Sequence, residues 1–142
     1  GADGFITTDP VVIAENQERL REKIESAGQR INLFDEDIKE GSETLVISYG
    51  VTAAAVEDGV RMLERSGTAV STLTLKTLWP VPEELLLEKA RPFGRVIVFE
   101  MNLGQYIQEI RRVLGDKEVE FYGQMDGVLI SPRKVVEVIT NG

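Results

Sequence analysis

The chain has 142 residues, 42% of them hydrophobic and 28% charged, with a net charge of −8. That length supports one domain with a substantial core, and so acidic a surface repels phosphate backbones and anionic lipid, which argues against nucleic-acid and membrane partners. Cysteine and histidine are both absent, which removes disulfides, a thiolate nucleophile, iron–sulfur ligands and the commonest general base and zinc ligand, while leaving carboxylate and lysine chemistry open.

No apolar run approaches the ~20 residues of a membrane helix and no signal peptide is evident, so a cytoplasmic location is expected. Residues 1–8 are small and polar and read as the end of a linker. Asp9 followed by Pro10 is a helix start, a capping carboxylate and then a proline in the first turn. From Ile13 an apolar stripe runs through Leu20, Ile24, Ala27 and Ile31 at helical spacing. Such a helix either covers its own domain or connects to a larger body. Ile31 to Ile38 alternates loosely and reads as a short edge strand, in antiparallel orientation.

Thr44 to Tyr49 is a β-branched, apolar run that meets Gly50 and passes directly into a helix-forming stretch. Strand, tight turn and helix N-terminus are the opening unit of a parallel α/β layer. Val56, Gly59, Val60 and Leu63 form the stripe of that helix. Gly59 weakens a helix by about 1 kcal/mol against alanine, which is tolerable if the helix lies close on the sheet. Gly67 ends the helix. Ala69 to Leu75 is the second parallel strand, and Pro82, Glu83 and Glu84 begin the next helix. Arg95 to Met101 is a third strand, buried on both faces. Leu103, Ile107, Ile110 and Leu114 make a further helical stripe closed by Gly115. Val119 to Tyr122 is the fourth strand, Asp126 and Gly127 a turn, and Ser131 with Pro132 opens a closing helix. Strands that alternate with helices imply a mostly parallel sheet with helices on both faces.

Ligands in such sheets gather at the carboxyl ends of the strands. Those ends carry Tyr49, Gly50 and Thr52; Lys76 and Thr77; and Glu100, Asn102, Gly104 and Gln105. The free N–H groups near Thr52 suit a small anion, as at any helix start. The dinucleotide fingerprint is missing, since Gly50 stands alone before Val51 and Thr52, and there is no Walker loop. Glu100 and Asn102 either present a carboxylate and an amide to a ligand or partner, or cap the helix that follows. Trp79, the single tryptophan, is either a core plug or an interface anchor. Arg111 and Arg112 fit a solvated helix face, or a patch for an acidic partner. The candidates for ligand or interface contact are therefore Gly50, Thr52, Lys76, Trp79, Glu100, Asn102 and Gln105, with no catalytic and no metal-binding residue among them.

Four segments, taken in order, resemble one family. They are Ile47-Ser48-Tyr49-Gly50-Val51-Thr52, Leu75-Lys76-Thr77-Leu78-Trp79-Pro80-Val81-Pro82, Val98-Phe99-Glu100-Met101-Asn102-Leu103-Gly104-Gln105, and Val119-Glu120-Phe121-Tyr122-Gly123 with Ile130-Ser131-Pro132. Together they look like the second domain of the α subunit of 2-oxoacid:ferredoxin oxidoreductases, with the 2-oxoglutarate type favoured and the branched-chain and pyruvate types as alternatives. Residues 1–30 read from their composition and spacing as a linker and amphipathic connecting helix, and over residues 31–142 the resemblance implies a transketolase C-terminal-like α/β/α domain with a mostly parallel five-stranded sheet. It implies an enzyme complex that uses thiamin diphosphate, Mg and an iron–sulfur cluster, none held by this chain alone. Its partners would be the other subunits, with ferredoxin and coenzyme A serving the complex and a homodimer as one form of assembly. By this reading the chain shapes and assembles the complex and is inactive in isolation. A thiamin enzyme of the transketolase or dehydrogenase E1 type, a free-standing anion-binding module and a ligand-free scaffold are the competing readings.

Overall fold

The computed structural model describes residues 4–141. The first three residues of the linker expected at residues 1–8 lie outside the described residues. Contacts divide the chain after Asn32 into two units.

The first unit is built on helix α1, Pro10–Ala27. Asp9 caps it as expected, its Oδ1 accepting from the Val11 N–H at 2.9 Å, and Pro10 occupies the first helical position. Along its surface Arg21 forks between Glu18 and Glu25, three and four residues apart and so neighbours on one helix face. The stripe is shorter than expected. Gly28 ends α1 and a 3-10 turn takes Gly28–Ile31, so Ile31 leaves the helical face. None of the α1 residues is buried.

The second unit is a five-stranded sheet between two helical layers. Its strands are β1 (Phe34–Asp37), β2 (Thr44–Tyr49), β3 (Ser71–Leu75), β4 (Arg95–Glu100) and β5 (Val119–Gly123). The spatial order is β1-β3-β2-β4-β5. β1 is the antiparallel edge, Phe34 opposite Leu75, and all other pairs are parallel. The helices are α2 (Thr52–Arg65), α3 (Glu83–Ala90), α4 (Tyr106–Leu114) and α5 (Pro132–Thr140).

Strand alternation sorts the core. Leu45, Ile47, Leu73, Leu75, Val96 and Val98 face α3 and α4, packing on Leu86, Ala90, Ile107 and Ile110. Val46, Ile97 and Phe99 face α2 and α5, packing on Val56, Val60, Leu63, Val135 and Ile139. Burying one such side chain stabilises the fold by roughly 1.5–3 kcal/mol. The β4 run from Val96 to Glu100 is buried on both faces, as its β-branched composition requires.

Several details differ from expectation, among them that β1 is confined to Phe34–Asp37, β4 ends at Glu100 and β5 runs on to Gly123. β3 begins at Ser71, two residues late. Pro82 caps α3 and Glu83 is its first residue. Leu103 does not belong to the α4 stripe: it is 78% exposed on the preceding loop, and α4 starts at Tyr106. Gly59 accommodates a close approach as proposed, but the neighbour is α5 and not the sheet. A Cβ on Gly59 would lie 2.8 Å from Val135 Cβ and 2.9 Å from the Pro132 carbonyl oxygen. The end of α2 follows the glycine rule. Gly67 N–H donates to the Glu64 carbonyl at 2.9 Å and Thr68 N–H to the Leu63 carbonyl at 3.0 Å, the paired bonds of a Schellman motif.

An ion pair ties β4, β5 and α5 together. Arg95 Nε donates to Glu120 Oε1 at 2.5 Å, its second terminal nitrogen to Glu120 Oε2 at 2.7 Å, and its first to the Ile139 carbonyl at 2.6 Å. Hydrogen bonding from Arg95 holds the Glu120 carboxyl below its ordinary range, with burial opposing. A lowered carboxyl pKa gives stability that is present above the unfolded value, about 4.3, and lost as pH falls through the folded one. Glu120 is 37% exposed at its side chain, so solvent screening limits the pair to about 1 kcal/mol. Thermal melts should show Glu120→Gln less stable by that amount at pH 7, with the gap closing below about pH 4. A gap of equal size at pH 3 would contradict the assignment.

Candidate functional site at the carboxyl ends of the strands

From β2 the chain passes through α2 to β3 on one side, then through α3 across β2 to β4 on the other. The reversal places a topological switch point between the carboxyl ends of β2 and β4, the position where open α/β sheets collect ligands. Gly50 makes the turn out of β2 with φ +58°, a backbone region that glycine enters without the Cβ clash. Thr52, the first residue of α2, is buried.

A polar network closes the switch point. Tyr106 N–H donates to Glu100 Oε2 at 3.2 Å, and the Tyr49 hydroxyl donates to the same oxygen at 3.3 Å. Asn102 Nδ2 donates to the Tyr49 hydroxyl oxygen at 2.9 Å. Asn102 Oδ1 accepts from the Gly104 N–H at 2.7 Å and the Gln105 N–H at 3.1 Å, an Asx-type turn that folds the 101–105 loop. Gly104 reaches φ +91° within it. The Tyr49 and Tyr106 rings meet edge to face, 5.5 Å between centroids, and the Tyr106 hydroxyl donates to the Leu78 carbonyl at 3.1 Å. The network thus joins the ends of β2 and β4 to the loop after β3.

Glu100 is fully buried, and its Oε1 has no hydrogen-bond partner among the described residues. Burial, reinforced by the negative charge of Glu100, raises the Tyr49 hydroxyl pKa. Burial, with Glu109 next, pushes Tyr106 up to about 12. Both phenols therefore stay protonated through the physiological range and act as donors.

The network gathers Glu100 and Asn102 with Tyr49 and Tyr106, and both of the former brace the start of α4. Gln105 sits at the cap position of α4 and is exposed. Lys76 turns away: its Nζ pairs with Asp35 at 2.5 Å at the β1 edge. Trp79 is 76% exposed and does not plug the core. Arg111 bonds the Val119 carbonyl at 2.9 Å, and Arg112 pairs with Glu109 and Glu83 at the surface. Tyr49 stands at the strand ends but not among the candidates drawn from sequence, and Tyr106 is absent from the sequence reading altogether. The signal for Tyr106 was the aromatic placed where the loop after β4 becomes helix, on the same face as Ile110.

A separate groove lies between β1 and α2, lined by Asp35, Glu36, Asp37, Glu57 and Glu64 together with Arg61. Among the described residues, no group of three acidic side chains is arranged to hold a metal ion, and no helix is long and apolar enough to cross a membrane.

Residues 42–135 match the family model described as pyruvate:ferredoxin oxidoreductase core domain II. The 2-oxoglutarate synthase subunit KorA of Methanothermobacter thermautotrophicus is 34% identical over 122 residues, 85% of this chain and 32% of that relative. The ketoisovalerate oxidoreductase subunit VorB of the same organism is 30% identical over 120 residues, 84% of this chain and 34% of that relative. The chain spans about a third of the length of these curated relatives. Among solved structures, a 2-oxoglutarate:ferredoxin oxidoreductase from Magnetococcus marinus matches 99% of this chain and 25% of its own, with TM-score 0.78 and 24% identity. A split-gene transketolase matches 75% of this chain and 40% of its own, with TM-score 0.60 and 26% identity.

Proposed function

Because this chain belongs to the pyruvate:ferredoxin oxidoreductase core domain II family, we propose that it serves as the second domain of a 2-oxoacid:ferredoxin oxidoreductase α subunit, with 2-oxoglutarate the favoured oxoacid. The observation that carries this is the KorA similarity, which runs over 85% of the chain. The complex would convert a 2-oxoacid and coenzyme A to an acyl-CoA and carbon dioxide, passing two electrons to ferredoxin in the cytoplasm. The VorB relative supports a branched-chain oxoacid as the second reading.

This chain has no cysteine to ligate an iron–sulfur cluster, and the described residues offer no acidic cluster for a metal. At the switch point the polar groups bond mostly to one another, with Glu100 Oε1 the exception. Its part is structural. Tyr49, Glu100, Asn102 and Tyr106 fix the strand ends and the 101–105 loop, so that this end of the sheet meets a neighbouring domain in a preset shape. Residues 1–30 act as linker and connecting helix. The test is sedimentation velocity of this chain mixed with the native polypeptides that complete the oxidoreductase. A stable faster-sedimenting complex at micromolar concentration is expected; separate sedimentation, or a homodimer that ignores those polypeptides, contradicts the proposal.

A further inference from the structure

The two ends of the sheet differ in chemistry. The loops at the carboxyl ends of β2 to β5 cover residues 50–51, 76–82, 101–105 and 124–131, and their only charged residues are Lys76 and Asp126. Both are already used. Lys76 pairs with Asp35, and Asp126 accepts from the Val128 N–H at 2.9 Å and from Gln124 at 3.1 Å. Each of these loops exposes a large apolar side chain: Val51 at 61%, Trp79 at 76%, Leu103 at 78% and Val128 at 61%, the last beside Met125 and Leu129. Leu33 joins them, since its carbonyl accepts from Lys76 and Thr77 at the same end. The amino-terminal end is the opposite. Its loops carry Lys39, Glu40, Glu43, Arg91, Asp116, Lys117 and Glu118, and Ile38 is the one large apolar side chain exposed there among the described residues.

Scattered apolar side chains on a surface are ordinary, but a set gathered on the adjacent loops at one end of a sheet, in a chain of net charge −8, points to an interaction surface. An apolar rim whose two charged residues are already bonded within the domain suits a permanent interface and not a transient, electrostatically steered one. Both faces of the sheet are already covered by α2 to α5. The β1 edge is acidic. About two thirds of the length of the KorA-like relatives lies outside the span of this chain. We propose that the carboxyl-end rim, centred on Trp79 and Leu103, is the surface on which the remainder of the oxidoreductase α subunit packs, through a complementary apolar face. This deepens the assembly reading above and rests on it.

Trp79, the single tryptophan of the chain, supplies a direct readout. The chain labelled with 5-fluorotryptophan gives one fluorine resonance, and binding is followed by adding the unlabelled remainder of the α subunit. The resonance should shift on mixing. Calorimetry should show affinity falling at least tenfold in Leu103→Glu and in Val128→Glu, with thermal melting unchanged because both positions are exposed. Ile38→Glu, at the opposite end, should bind as the parent does. A complex that forms with no shift of the Trp79 resonance and equal affinity in both rim variants overturns the rim as the docking surface and leaves the assembly reading standing. No complex at all overturns both. A rim occupied by a second copy of this chain that the α-subunit remainder does not displace also overturns the proposal.

Discussion

Glu100→Ala should destabilise the domain by about 3 kcal/mol, while Glu100→Gln should remain within about 1 kcal/mol of the parent. Glu100 is fully buried at the end of β4, and alanine there removes the acceptor for both the Tyr106 N–H and the Tyr49 hydroxyl. Leaving buried donors unpaired forfeits about 1–3 kcal/mol each, and the vacated volume adds to the loss. Tyr49 keeps its contact with Asn102, which limits the total. Glutamine retains the accepting oxygen and places its amide where Oε1 has no partner. It replaces one unsatisfied polar atom with another while removing a carboxylate that has no cationic partner among the described residues. Urea unfolding distinguishes the two outcomes. If glutamine proved as harmful as alanine, the carboxylate charge itself would be required and a cationic group from outside this domain would have to supply its counterpart.

Gly59→Val should lower stability by about 3 kcal/mol, and Gly59→Ala by about 1 kcal/mol. The new Cβ would stand 2.8 Å from both Val135 Cβ and Cγ1 and 2.9 Å from the Pro132 carbonyl oxygen. Backbone and a branched side chain at the start of α5 cannot swing aside, so α2 and α5 must separate. Alanine gains about 1 kcal/mol of helix propensity over glycine, which offsets part of the strain. Valine adds two more methyl groups to the same gap. Because the contact joins the two helices over Ile97 and Phe99, the valine variant should also lose near-ultraviolet circular dichroism from the Phe99–Tyr122 pair, 5.7 Å between ring centroids. A valine variant as stable as the parent would mean that α5 docks with slack.

The order of strands and helices was legible because this unit is locally consistent. Runs such as Thr44–Tyr49 and Arg95–Glu100 have strand periodicity and composition, and Asp9, Gly67 and Ser131 punctuate the helices as their chemistry predicts. The Ser131 hydroxyl, for example, accepts from the Lys134 N–H at 3.2 Å. What failed were features decided by tertiary neighbours. Leu103 had the right spacing for the α4 stripe, yet the Asn102 turn consumes the backbone N–H groups of Gly104 and Gln105 and delays the helix to Tyr106. The reason for Gly59 lies in α5, 76 residues further on at Val135, and no local pattern announces which element approaches a glycine. The candidate site was readable as a position, the strand ends, but not as a network. That Lys76 leaves for Asp35 while Tyr106 joins Glu100 depends on the order β1-β3-β2-β4-β5, which sequence spacing does not encode.

The role proposed for this domain is to contribute form and contacts to a larger enzyme, with no reaction of its own. The direct measurement is 2-oxoglutarate-dependent reduction of ferredoxin, with coenzyme A present, by this chain alone, by the complementary polypeptides alone and by their mixture. Turnover in the mixture only is the predicted result. Turnover by this chain alone, or a mixture no more active than the complementary polypeptides without it, would contradict the account.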